Sequence, residues 1–340
     1  MIKIVVDGFG GDNAPIEIVK GVVSAINSNN DIHIVITGKE DVLQEKFNKY
    51  TYNKEQVTVL NAESVITNDD VPTTAIRTKR DSSLVVAFDY ARENDDCVGI
   101  ISAGSTGAVL TGAFMKCGRL KGIHRPALCP VLPTKTGGLA CICDSGANMD
   151  CKPEYLEQFA LMGSAYLKTL GVANPRVAQL NVGTEDHKGD TRAKETFELL
   201  KNLGEKINFV GNMEARDLLS GDYDVIVADG FAGNVLLKSA EGAIKNLLSM
   251  LKSEIKSSFM SKIGALFMKK SFSGLKSKMD YSRYGGAVLL GCKKLVVKCH
   301  GSSNDNSIMT AIDQVYKMSK GNLLENISKN LDVIGIEENE

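Results

Sequence analysis

The sequence predicts an α/β protein: a mostly parallel sheet with helices on both faces, carrying a helical protrusion. Three observations predict it. Runs rich in Ile and Val are continuously apolar rather than alternating, which is how strands buried on both faces read. Helical stretches separate these runs, and that alternation is the signature of a sheet built by crossovers. Each run also ends in glycine or a turn.

Taken in order, strand-like runs lie at residues 2–7, 32–37 and 57–60, with a helical stretch at 15–28 between the first two. A helix at 82–94 precedes a strand at 98–102. The middle of the chain alternates a strand at 139–144, a helix at 154–170, a strand at 177–182 and a helix at 188–203. Strands follow at 207–210 and 225–228, and a last one at 295–297. Between Ile244 and Met279 the strand pattern stops, and a lysine-rich helical segment runs without proline until Tyr284-Gly285-Gly286. We read residues 1–333 as one large domain, with a protrusion at about 244–283 and an acidic tail at 334–340. No internal repeat or low-complexity linker interrupts it.

Composition narrows the class. Of 340 residues, 43 % are hydrophobic and 24 % charged, the balance of a chain with a sizeable core. A formal net charge of −1 leaves no global basic field for nucleic acid, so none is expected as a partner. The opening Met1-Ile2-Lys3-Ile4-Val5-Val6-Asp7 lacks the longer apolar stretch and cleavage site of a signal peptide, and a cytoplasmic location is expected. No window approaches the roughly 18 to 20 apolar residues of a spanning helix.

Eight cysteines in a chain this long do not suggest a disulfide scaffold. Cys129, Cys141, Cys143 and Cys151 cluster in sequence without the paired spacing of a zinc knuckle, and Cys141 and Cys143 share one strand face, where thiols pack as small apolar groups. No metal site is expected.

In an open parallel sheet, ligands bind beyond the carboxyl ends of strands. Six loops there are dense in polar groups: Asp7 to Pro15 with Gly10 and Gly11; Ser102 to Ala108 with Gly104, Ser105, Thr106 and Gly107; Asp144 to Asn148; Asn181 to Gly189; Asp229 to Asn234 with Gly233; and His300 to Asn304 with Ser302. Glycines let backbone N–H groups approach a ligand, and a helix starting near Ser105 or Ser303 would aim its positive end at an anion. Turn formation and helix capping ask for the same residues at any single loop. Six such loops together are harder to explain by capping alone.

Familiar phosphate motifs are absent. Gly8-Phe9-Gly10-Gly11 lacks the third glycine of G-x-G-x-x-G, and no G-x-x-x-x-G-K-[ST] occurs. With no G-x-S-x-G and only four histidines, serine-hydrolase chemistry has little support.

Taken together, the loops resemble the PlsX family, the acyl-carrier-protein-dependent phosphate acyltransferases of bacterial phospholipid synthesis. The matching segments are DGFGGDNAP (7–15), ISAGSTGA (101–108), RPAL (125–128), DSGANMDCKPEYLEQFALMGSAY (144–166), PRVAQLNVGTEDHKG (175–189), GNMEARD (211–217), DVIVADGFAGNVLLKSAEG (224–242), YGGAVLLG (284–291) and HGSSN (300–304). They keep the family's order along nearly the whole chain. Gly8-Phe9 stands for the family's usual Ala-Met, Ser105 for Asn, and Thr184-Glu185-Asp186 for Gly-Glu-Glu.

The resemblance implies a fold related to phosphotransacetylases and isopropylmalate dehydrogenases. It also implies transfer of a fatty acyl group from an acyl-carrier-protein thioester to inorganic phosphate, with no cofactor. Such an enzyme must hold two anions and stabilise a tetrahedral oxyanion. Lys188 is expected to stabilise that charge and Asn234 to orient as an amide donor, although a solvated lysine and a helix cap are the plainer roles for those residues. Ser102, Gly104, Ser105, Thr106 and Gly107 would cradle phosphate, with Arg125 or His300 assisting. Asp7, Asp144 and Asp229 end strands and would fix loops or orient Lys188. Asn148 and Asn181 complete the expected set.

The protrusion repeats Leu247, Leu248, Leu251, Ile255, Phe259, Ile263, Leu266 and Phe267 at helical spacing, with Lys252, Lys256, Lys262, Lys269, Lys270, Lys276 and Lys278 around them. A basic amphipathic helix can lie on an anionic membrane as a peripheral contact, or receive an acidic carrier. It can equally form a helix pair, since the family implies a homodimer. Two other functions compete: a short-chain phosphotransacetylase acting on acyl-coenzyme A, and a non-catalytic scaffold for lipid enzymes at the membrane surface.

Overall fold

The fold was established from a computed structural model, which describes residues 1–270, 272, 274 and 285–332. Most of the end of the expected protrusion, with Lys276 and Lys278, lies outside these residues, as does the acidic tail.

The strands divide between two sheets, a division that the apolar runs do not show. The first has the order β3 (Val57–Asn61), β2 (Ile32–Gly38), β1 (Ile2–Asp7), β4 (Cys97–Ser102), β12 (Leu295–Lys298), β11 (Ala287–Leu290) and β5 (Ala127–Cys129). Six of these run in one direction, and β11 alone runs antiparallel, to both its neighbours. The second has the order β6 (Val131–Pro133), β7 (Leu139–Cys143), β10 (Val225–Val227), β8 (Arg176–Asn181) and β9 (Asn208–Glu214). Only β6 is antiparallel there.

Burial on both faces explains the continuous apolar strands. Ile4, Val6, Ile34, Ile36, Ile101 and Val297 face one side with helices α1 (Ile16–Ser28) and α10 (Asp305–Lys320). Val5, Val35, Ile100 and Val296 face the other with α4 (Ser83–Glu93). In the second sheet, Cys141, Val177 and Val225 pack with Phe159, Met162 and Tyr166 of α6 (Pro153–Thr169). Ile142, Ala178 and Ile226 meet Leu236 and Leu237 of α8 (Gly230–Ser257). The largest buried cluster draws side chains from both sheets.

All nine expected strands are present. The expected helix at 188–203 starts later, as α7 (Thr191–Asn202), because Gly189 takes a φ of 93° and Asp190 caps the next turn through Ala193 N–H at 2.8 Å. The protrusion does not begin afresh at Ile244. Helix α8 runs unbroken from the Asp229 loop for 28 residues. It stops at Ser258, whose extended backbone and side chain cap α9 (Phe259–Phe267). No helix among the described residues is long and apolar enough to cross a membrane.

Candidate active site

Three loops of the first sheet are tied into one unit. Asp7, buried at the end of β1, accepts from Ser102 Oγ at 2.7 Å and from Phe9 N–H at 3.3 Å. Ser102 Oγ in turn accepts from Gly104 N–H at 3.0 Å. Asp12 N–H donates to the Gly301 carbonyl at 2.8 Å, and the Asn13 amide reaches the carbonyls of Ser302 and Ser303 at 3.2 Å. Gly10 is obligatory here, because a Cβ would lie 2.5 Å from Asp7 Oδ2 and 2.7 Å from Gly104 N. Burial pushes the Asp7 carboxyl above its ordinary value, with the hydrogen bonds from the Ser83 and Ser102 side chains opposing. Asp7 and Ser102 therefore hold loops together, with their polar atoms spent inside the protein.

The second sheet contributes a loop organised around Asp144. Its buried carboxylate accepts from the N–H groups of Leu128, Gly146, Ala147 and Asn148 and from the Asn148 amide, at 2.7 to 3.2 Å. Asn148 also donates to the Pro126 carbonyl at 2.7 Å, so both donors of that amide are engaged in holding the loop. Asp229 caps α8 through Ala232 N–H at 2.7 Å and receives Arg192 at 2.5 Å. The next turn brings Asn234 to the Ser145 carbonyl at 3.0 Å, a close approach that requires glycine at position 233.

Between these two sets of loops lies a cavity of about 450 Å³. Thr106, Lys298, His300, Ser302, Ser303 and Asn304 line it from the first sheet, and Ser145 and Asn234 from the second. A second cavity of about 360 Å³, lined by Gly11, Asp12, Gly104, Ser105 and Gly301, shares Thr106 and Lys298 with the first. His300 Nδ1 accepts from Ser302 N–H at 3.2 Å, which leaves Nε2 to carry the proton of a neutral ring.

Lys298 was not among the sequence candidates. It is 8 % exposed, closes strand β12, and is the cation common to both cavities. Its ammonium donates to the Cys299 carbonyl. Burial lowers its pKa below the usual lysine value, while Asp12 and Asp7 pull the other way. A lysine ending an otherwise apolar strand just before His300-Gly301 was the available signal.

Other candidates fall elsewhere. Lys188 has a side chain 43 % exposed, with Nζ 3.9 Å from Glu185, and lines neither cavity. The Asn181 amide donates to the Lys188 carbonyl at 3.1 Å and so shapes that loop. Gly107 packs toward Pro72. Arg125 lies by the Tyr155 ring and lines a third cavity with Arg77, Phe114 and Met115.

All eight cysteines are buried free thiols. Cys151, just after the Asp144 loop, is pushed up to about 12 by burial and the neighbouring carboxylates of Asp144 and Asp229. A thiol so rarely ionised makes a poor nucleophile near neutral pH. The donors and the buried ammonium around the cavity instead suit a small anion and a developing oxyanion.

Residues 2–326 match the model of a family described as "Fatty acid synthesis protein". The chain is 47 % identical over 330 residues to a phosphate acyltransferase of Clostridium acetobutylicum, covering 97 % of this chain and 98 % of that one. A phosphate acyltransferase of Clostridium tetani is 47 % identical over 331 residues, with the same two coverages. Among solved structures, a phosphotransacetylase from Streptococcus pyogenes superposes with a TM-score of 0.62 over 94 % of each chain at 15 % identity, a likeness of fold.

Proposed function

The chain belongs to the PlsX family of phosphate acyltransferases, and from that premise we propose that it moves a long-chain fatty acyl group from acyl-carrier protein to inorganic phosphate. The product is acyl-phosphate for phospholipid synthesis. One observation carries this reading onto the molecule: the buried ammonium of Lys298 shares a cavity with Thr106, Asn234 and the His300 loop.

In this reading phosphate sits against Lys298 and the Gly104–Thr106 turn. A phosphate oxygen attacks the thioester carbonyl carbon, and the tetrahedral oxyanion accepts from the Asn234 amide. Collapse breaks the carbon–sulfur bond, and the departing thiolate accepts a hydrogen bond from the Nε2–H of His300 and takes its proton from solvent. Phosphate is already a dianionic nucleophile near neutral pH, so holding it beside the thioester is the larger part of the task. Lys188 acts as a second cation that helps neutralise phosphate and the developing oxyanion. If Lys188→Ala keeps more than a tenth of wild-type kcat, a loss under about 1.4 kcal/mol, that role falls to Lys298 alone.

The basic amphipathic face of α8 and α9 serves as a peripheral contact with the anionic inner surface of the cell membrane. Phe259, Leu266 and Phe267 there are 71 to 85 % exposed, and Ile263 lies on the same helix with Lys262, with Lys269 and Lys270 just beyond. Inner turns of α8 form a homodimer, and the protein works in the cytoplasm.

The deciding assay incubates purified protein with palmitoyl-acyl-carrier protein and phosphate. Phosphate-dependent release of carrier thiol and of hydroxylamine-trappable acyl-phosphate is the expected result. Turnover of acetyl-coenzyme A without either product would move the chain to the short-acyl branch.

A further inference from the structure

The cavity that holds Lys298 and Asn234 does not end at its polar lining. It continues into a larger one, of about 620 Å³, and the two share Leu132, Leu237, Lys238, Glu241, His300 and Ser302. Past that junction the character changes. The walls become Leu132 and Pro133 of β6, Leu219, and the α8 face of Leu237, Ile244 and Leu248. Lys238 and Glu241 pair at 2.8 Å on the rim, which places an ion pair where the polar site gives way to the apolar groove. From Leu237 to Leu248 the helix advances about 16 Å.

We propose that this groove takes the hydrocarbon chain of the acyl substrate, with its carbonyl carbon at the Asn234 end, and that Ile244 and Leu248 set the accepted length. The proposal rests on the acyl-transfer reading and adds the substrate's place and a length limit to it. Continuity with the polar cavity is the argument for this occupant. A chain attached to a thioester at Asn234 has this apolar exit beside it, and an acetyl group would leave the groove unfilled. The cavity of Phe114 and Met115 shares no lining residue with the polar site.

Two measurements test it. In the first, hexadecanoyl-acyl-carrier protein bearing a terminal diazirine is photolysed on the wild-type protein and the labelled peptides are mapped. Label at residues 132–133, 219 or 244–248 is expected. Label concentrated at Phe114 and Met115, or along 259–267, overturns the proposal. In the second, kcat/KM is compared for hexadecanoyl and octanoyl thioesters in Leu248→Trp, with Ile244→Phe as the alternative should the first variant not fold. Each methylene pushed out of the groove is worth roughly fourfold, so displacing two lowers the hexadecanoyl-to-octanoyl ratio at least about tenfold. An unchanged ratio, or an equal fall for both lengths, overturns the proposal. Wild-type protein that releases no carrier thiol with phosphate from any acyl thioester overturns the acyl-transfer reading itself, whereas active wild type labelled elsewhere overturns the groove alone.

Discussion

Replacing Gly233 with alanine tests how the site is held together. A Cβ at this position would lie 1.9 Å from the carbonyl oxygen of Asp144, whereas real Cβ contacts stay beyond 3.0 Å. Helix α8 or the Asp144 loop must therefore move by the difference between 3.0 and 1.9, about 1.1 Å. Neither yields easily. Asp144 N–H is bonded to the Ala228 carbonyl at 2.8 Å, and its carboxylate holds the backbone that follows. The first turn of α8 is fixed by the Asp229 cap. The shift falls on the next residue, Asn234, and opens its 3.0 Å bond to the Ser145 carbonyl. Overpacking of this kind costs about 1–3 kcal/mol of stability, and misplacing an orienting group by about an ångström costs roughly a hundredfold in rate. The assay is kcat for phosphate-dependent thiol release in Gly233→Ala beside Asn234→Ala, with a thermal melt of each. We expect both variants to lose about two orders of magnitude while Gly233→Ala remains folded with a lowered Tm. More than half of wild-type kcat with an unchanged Tm in Gly233→Ala would refute the argument.

Lys298→Met should raise KM for phosphate by roughly ten- to a hundredfold, the value of a charge-assisted hydrogen bond of about 1.5–3 kcal/mol. Because burial depresses the Lys298 pKa, its ammonium is lost at a lower pH than that of an ordinary lysine, so KM for phosphate climbs with pH below about 10.4 in wild type and stays flat in Lys298→Arg. The same depression makes the charged lysine unfavourable to folding below its folded pKa, a cost relieved as pH rises toward the unfolded value. Lys298→Met should therefore melt higher than wild type at neutral pH without phosphate. Asp144→Ala removes the acceptor of five donors and should cost on the order of 3–5 kcal/mol, read as a lower urea midpoint. Wild type should float with anionic vesicles, and Leu266→Glu should weaken that binding about tenfold or more. Equal flotation of the two, or none by either, would remove the membrane contact.

Much of the fold was legible because most of its signals are local. Most expected strands are short apolar runs buried on both faces, the edge strands β3 and β9 being the half-buried ones, and the four long helices announce themselves by composition and by the turns that start them. The strands that went unread are β5, β6 and β11. Each has three or four residues, and Pro126, Pro130 and Pro133 interrupt the run that carries two of them. Their partners are also distant in sequence: Val288 pairs with Cys129 and Val131 with Cys141. No window along the chain contains both halves of such a pair. The same limit hid the division into two sheets.

The candidate site shows the same contrast. The sequence by itself determined the class of architecture, the family likeness, the six polar loops at strand ends and the basic apolar face of the protrusion, because each is written in contiguous residues. Only the tertiary structure decided how those residues are used. It turned Asp7, Asp144 and Asn148 inward as loop organisers, set Asn234 against Ser145, and left Lys188 outside the cavities that Lys298 joins. A side chain's chemistry is fixed by its type, but its availability depends on which distant backbone groups have claimed its hydrogen bonds and how much water remains around it, and those are set by packing across the two sheets.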